Sequence, residues 1–135
     1  MSGSYTLYCD GASRGNPGQA SLGVSLLDPQ GEPVTEFGRT LGVATNNVAE
    51  YEALIAGLEA ALDHGAVPLE VHLDSMLLVR QVMGEFKVKA PGLKPLHRRA
   101  VHLLAALGDV RVSHVRREFN TRADALANEA LDGDC

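Results

Sequence analysis

The chain has 135 residues, 45% of them hydrophobic and 21% charged, a balance that suits one domain around one core and argues against disorder. The formal net charge of −5 argues against a protein that grips nucleic acid by bulk positive charge, while leaving room for an enzyme whose carboxylates recruit divalent cations. No apolar run approaches the roughly 18 residues of a membrane span, and "MSGSYTLYCD" is no secretion signal, so a cytoplasmic protein with no membrane partner is expected.

In chain order, Tyr5 to Asp10 alternates and predicts a strand that ends at the acid. "GASRGNPGQA" reads as a loop, "SLGVSLLD" as a second strand, "PQGE" as a turn and "PVTEFGRTL" as a third strand, together an antiparallel meander. From Asn47 to about His64 the period changes, with Val48, Tyr51, Leu54, Ile55, Leu58 and Leu62 on one helical stripe and Gly65 as a stop. Asn47 is the expected cap, and Glu50 stands three residues later, where a capping-box carboxylate belongs. "LEVHLDS" predicts a strand ending at Asp74, with Ser75 able to cap the helix "MLLVRQVMG". "EFKVKAPG" is an irregular connection, and "LKPLHRRAVHLLAAL" a helix with Pro95 in its first turn. "DVRVSHV" is a fifth strand, and "TRADALANEALDG" a last helix with Thr121 as its cap.

No repeat, low-complexity tract or linker interrupts this order, so residues 1–135 are expected to be one domain with its core at about 5–131. Three strands, then strands separated by helices, predict an α/β sheet that starts antiparallel and becomes parallel, with helices on both faces. Sites in such sheets form beyond the carboxyl ends of the parallel strands. Cys9, in a strand pattern, and Cys135, at the end, are expected as two reduced thiols.

Four acids fall at strand ends or helix starts: Asp10, Glu50, Asp74 and Asp124. Each has a local alternative. Asp10 and Asp74 could open turns, while Glu50 and Asp124 could complete capping boxes with Asn47 and Thr121. Together they crowd one rim of the sheet, where unpaired carboxylates repel. A cation removes that cost, so the set points to a hard-metal site with oxygen ligands. The five histidines show no such ligand pattern. Beside Asp10, "GASRGNPG" offers backbone N–H groups, Ser13 and Asn16; before Glu50, "TNN" offers a hydroxyl and two amides. Such groups suit phosphate oxygens, ribose hydroxyls and minor-groove edges.

Four blocks in order, "YCDGASRGNPG", "TNNVAEYEALIAGLEAAL", "HLDSMLLVRQVMGEFKVKAPGL" and "HVRREFNTRADALANEA", resemble the motifs of the type I ribonucleases H. The resemblance runs from about Tyr5 to Leu131. It implies the ribonuclease H-like fold, a five-stranded mixed sheet of order 3-2-1-4-5 flanked by helices. It also implies hydrolysis of the RNA strand of RNA–DNA hybrids, leaving 5′-phosphate and 3′-hydroxyl ends. Asp10, Glu50, Asp74 and Asp124 match the family's metal-binding catalytic acids, which hold two Mg²⁺ ions, with Mn²⁺ as an alternative and Asp10 bridging the pair. Contacts to the hybrid fall on Gly11, Ser13, Asn16, Asn46, Asn47 and Gln81, and a contact to the DNA backbone on Thr45.

The chain departs from many members in lacking a basic handle. "EFKVKAPGLK" joins two helices almost directly, bringing Lys87, Lys89 and Lys94, and this short form resembles a compact bacterial and archaeal subset. Arg117 stands where that subset has an arginine, which implies a catalytic-site role; the local alternative is an ordinary ion pair with the acids. His114 lies in a strand pattern and reads as structural. Asn120, one turn before Asp124, is expected to face the same way and to hold Asp124, contact substrate or cap the helix. A monomer is expected. Two other readings stay open: a nuclease of the same fold with another substrate, and a non-catalytic binding module.

Overall fold

Strand β1 (Tyr5–Gly15) runs five residues beyond Asp10, and β2 (Gly18–Leu27) starts after only Asn16 and Pro17. The segment expected as a loop is thus the tip of a hairpin, paired through Ser13↔Ala20 and Arg14↔Gln19. Its Gly, Ser and Asn content conceals a ladder that backbone groups alone maintain. The computed structural model describes residues 3–133. The remaining elements are β3 (Pro33–Ala44), α1 (Asn46–Asp63), β4 (Leu69–Leu73), α2 (Met76–Val82), α3 (Lys94–Leu107), β5 (Val110–His114), a 3₁₀ turn (Arg117–Phe119) and α4 (Thr121–Asp132).

The sheet order is β3-β2-β1-β4-β5, as the family resemblance implies. The pairs β1/β2 and β2/β3 are antiparallel, and β1/β4 and β4/β5 parallel. On one face Leu7, Cys9, Leu22, Val24 and Leu26 meet Tyr51, Leu54 and Leu58 of α1, all of them buried. Gly57 lets that helix lie close, since a Cβ there would come within 2.6 Å of Cys9 Sγ. Ala100 and Leu103 of α3 join the same core. On the other face α4 crosses β2 at Gly23, where a Cβ would overlap the Ala123 carbonyl. Ser21 Oγ donates to the Ala127 carbonyl at 2.6 Å, and Arg122 pairs with Glu36 of β3 at 3.2 Å. Helices therefore cover both faces.

Two caps differ from the expected ones. Helix α1 is capped by Thr45, whose Oγ1 accepts the Val48 N–H at 3.2 Å, and Asn47 lies inside the helix. This frame puts Val48 three residues after the cap, so no capping box forms with Glu50. Helix α4 starts at Thr121, with Asn120 at the cap position and no side-chain cap bond. Ser75 caps α2 as expected, accepting from Leu78 N–H at 3.2 Å. Cys9 is free and buried; Cys135 lies outside the described residues. Among the described residues no helix is long and apolar enough to cross a membrane.

Candidate active site

Parallel pairing of β1 with β4 reaches Tyr8↔His72. Asp10 and Asp74 each lie two residues past that pair, so both carboxylates leave the sheet at the same rim. The hairpin's extension keeps Asp10 inside the ladder, opposite Gly23, and 6% exposed. Gly11 faces α1, and a Cβ there would overlap the Ala49 backbone. That contact brings Glu50 against the strand, where Oε1 accepts the Gly11 N–H at 2.5 Å.

One carboxylate oxygen from each of Asp10, Glu50 and Asp74 lies within 4.8 Å of the others. Asp124, in the first turn of α4, lines the same cleft. Burial, then the charges of Glu50 and Asp74, then Asp124, push the Asp10 carboxyl up to about 10. Burial pushes Glu50 up to about 7; Asp74 adds to this, while the Gly11 N–H, the Asp10 carboxyl and Arg117 oppose it. These groups resist sharing their negative charge, which is the condition a divalent cation relieves. The donors are all hard oxygens, so the residues fit Mg²⁺ or Mn²⁺ better than a soft metal.

The four acids open into a cleft of about 460 Å³, which Gly11, Ser13, Asn46, Asn47 and Arg117 also line. Ala12 and Ser75 line it too, although sequence reasoning gave Ser75 only a capping role. Its position next to Asp74 was the available signal. Ser13 Oγ donates to the carbonyls of Gly15 and Ala44, fastening the hairpin to the end of β3. Arg117 is exposed on the 3₁₀ turn.

Three expected substrate contacts stand outside the cleft lining. Asn16 Oδ1 accepts the Asn46 N–H at 3.1 Å and ties the hairpin tip to α1. Thr45 is the α1 cap. Gln81 is buried, accepts from the Tyr51 hydroxyl at 2.6 Å, and lines a second depression with Phe86, Lys87 and Lys94. Asn120 was expected to face the same way as Asp124, and its side chain does point to the acids, but its amide holds Asp74 Oδ2 at 3.0 Å and the Cys9 carbonyl at 2.9 Å rather than Asp124. His114 is in β5 as read, exposed and away from the cleft.

A mixed sheet of this order, with carboxylates gathered just past the parallel pairing of β1 with β4, defines a ribonuclease H-like domain. The family model described as "Reverse transcriptase-like" matches residues 8–130. The chain is 51% identical over 125 residues to ribonuclease HI of Halobacterium salinarum, covering 93% of this chain and 63% of that one. The crystal structure of that archaeon's RNase H1 matches with a TM-score of 0.93 at 50% identity, covering 97% and 99% of the two chains. A bifunctional protein of Mycobacterium tuberculosis is 44% identical over 127 residues, covering 93% of this chain and 35% of its own length. LC11-RNase H1 in complex with RNA/DNA hybrid matches with a TM-score of 0.90 at 42% identity, covering 96% and 97%. The chain belongs to the ribonuclease H family. It spans 63% and 35% of the lengths of the archaeal and mycobacterial curated relatives.

Proposed function

We propose that this protein is an endoribonuclease that hydrolyses the RNA strand of RNA–DNA hybrids, leaving 5′-phosphate and 3′-hydroxyl ends. The carrying observation is the acid cluster itself: a buried Asp10 flanked by Glu50, Asp74 and Asp124 in one open cleft. The hybrid bound by LC11-RNase H1, at 42% identity over 96% of this chain, supports the same substrate here. A non-catalytic module of this fold would be expected to lack one of the acids, and all four line the cleft.

Asp10, Glu50, Asp74 and Asp124 would hold two Mg²⁺ ions, or Mn²⁺ in their place. When bound, such ions lower the pKa of a water and stabilise charge on the attacking and leaving oxygens of a phosphodiester. The chain's own residues do the rest. Glu50 is held against β1 by the Gly11 N–H, which fixes where its second oxygen points. Asn46 and Asn47, on the first turn of α1, present amides to the strand that carries the scissile phosphate. Arg117 supplies positive charge at the open side of the cleft. Among the described residues no serine–histidine or cysteine–histidine pair lines the cleft, which fits a mechanism without a covalent enzyme intermediate. Water is the remaining nucleophile. The same reading takes residues 1–135 as one domain that works as a monomer in the cytoplasm.

The test is incubation with end-labelled RNA–DNA hybrid, duplex DNA and duplex RNA, in Mg²⁺, Mn²⁺ or EDTA. Metal-dependent cleavage of the RNA in the hybrid is expected. A hybrid left intact in both metals overturns the reading.

A further inference from the structure

Asn120 is 1% exposed, and its amide sits where three segments of the site converge. Its Nδ2 donates to the Cys9 carbonyl at 2.9 Å, next to Asp10, and to Asp74 Oδ2 at 3.0 Å. Its own carbonyl accepts the Asp124 backbone N–H at 3.1 Å. Both partners of the side-chain nitrogen are acceptors, a carbonyl and a carboxylate, so only the NH₂ end can face them. Both hydrogens are thereby committed. The side-chain Oδ1 is buried with no hydrogen-bond partner among the described residues. An asparagine kept in that state accepts the cost of one unpaired oxygen in order to make the other two bonds. Helix α4 gains no cap from it, since it makes no side-chain cap bond.

We propose that Asn120 is a positioning residue for the metal site, acting through Asp74 and the Cys9–Asp10 stretch of β1; the proposal rests on the metal-site reading above. The amide fixes the rotation of the Asp74 carboxylate while leaving it lone pairs for a cation. It also sets the spacing between Cys9 of β1 and Asp74 just after β4, and ties both to the turn that carries Asp124. Glu50 is held separately, by Gly11. Asn120 thus locates three of the four acids relative to one another without entering the cleft lining.

The test is titration of the substrate-free protein with Mn²⁺, read by electron paramagnetic resonance, for the parent, Asn120→Ala, Asp74→Asn and the double variant. Thermal unfolding is recorded for each. Asn120→Ala is expected to bind Mn²⁺ about 10- to 100-fold more weakly, the usual cost of losing a partner of a metal ligand. In the Asp74→Asn background the same change should cost less than in the parent, because the part of its effect that passes through the Asp74 carboxylate is already lost. Parent-like Mn²⁺ binding by a folded Asn120→Ala overturns the proposal, as do losses that simply add in the double variant. If Asn120→Ala does not fold, Asn120→Ser, which keeps one donor, is titrated instead and judged by the same two criteria. Hybrid cleavage by the parent is assayed in parallel. A parent that binds Mn²⁺ but leaves hybrids intact counts against the proposed substrate alone, whereas unchanged Mn²⁺ affinity in an active background counts against Asn120 alone.

Discussion

Gly11 and Glu50 are bound to each other twice over: the Gly11 N–H donates to Glu50 Oε1 at 2.5 Å, and the missing Cβ of Gly11 admits the Ala49–Glu50 backbone onto the strand. The capping box read from the sequence and a ligand turned toward Asp10 would compete for the same oxygens. The structure gives those oxygens to the site.

Gly11→Ala should therefore damage the site and the fold together. Its methyl would overlap the Ala49 carbonyl carbon, forcing α1 outward. Overpacking of this kind costs about 1–3 kcal/mol and occasionally more. Urea unfolding would register the loss, and Mn²⁺ affinity should fall with it.

Asp10→Asn is expected to abolish hybrid cleavage, beyond the roughly 100-fold that loss of an outer partner costs, while circular dichroism stays parental. In EDTA the variant should unfold at a higher temperature than the parent. It removes a carboxyl that burial and three neighbouring acids hold in an unfavourable state. Unfolding of the variant, or parental cleavage, would count against a ligand role.

The pH dependence of the metal-free protein follows from the same two carboxyls. Asp10 rises from 3.8 to about 10 on folding, and Glu50 from 4.5 to about 7. Between those values the folded state holds protons that the unfolded state has released. Stability should accordingly fall as pH rises, from about pH 4 upward, by at most about 1.4 kcal/mol per pH unit per proton. Urea unfolding at pH 5, 7 and 9 in EDTA measures the slope. Saturating Mg²⁺ should flatten it, since cations take over the role of the protons. A metal-free stability that climbs through this range would contradict the arrangement of the acids.

Gln81→Ala separates packing from substrate contact. It leaves the buried Tyr51 hydroxyl without the acceptor it now holds at 2.6 Å, a loss of about 1–3 kcal/mol. Denaturant unfolding should show it. A variant that keeps parental stability and raises KM for the hybrid would return Gln81 to the substrate contacts.

Thr45→Ala should cost about 1 kcal/mol through the lost α1 cap. The amides of Asn46 and Asn47 follow that cap directly, so KM should rise as the first turn frays.

The succession of strands and helices and the acid cluster were legible because each depends on a short-range signal, whereas the sheet order came from the family resemblance. Asp10 and Asp74 close alternating apolar runs, and Tyr51, Leu54 and Leu58 repeat at helical spacing. The hairpin tip was not legible, because residues from Gly11 to Gly18 carry turn composition while pairing as strands. In "TNN" three adjacent residues are equally good caps, and the packing of α1 on Gly11 decides among them. Asn120 shows the sharper limit. Its spacing along the helix put it on the Asp124 side and left its role open, because its partners are 46 and 111 residues away, a relation that periodicity cannot express.

That last separation bears on how the chain folds during synthesis. The bond from Asn120 to the Cys9 carbonyl joins residues 111 apart, and contacts closing such long loops form slowly and late. A nascent chain emerging from the ribosome presents Asp10, Glu50 and Asp74 well before α4 arrives to cross β2 and β3. Until then the three acids lack both Asp124 and the amide that spaces them. On the proposed function, cleavage would be expected only from chains whose first strand and last helix have met, and the appearance of activity during synthesis would time that docking step.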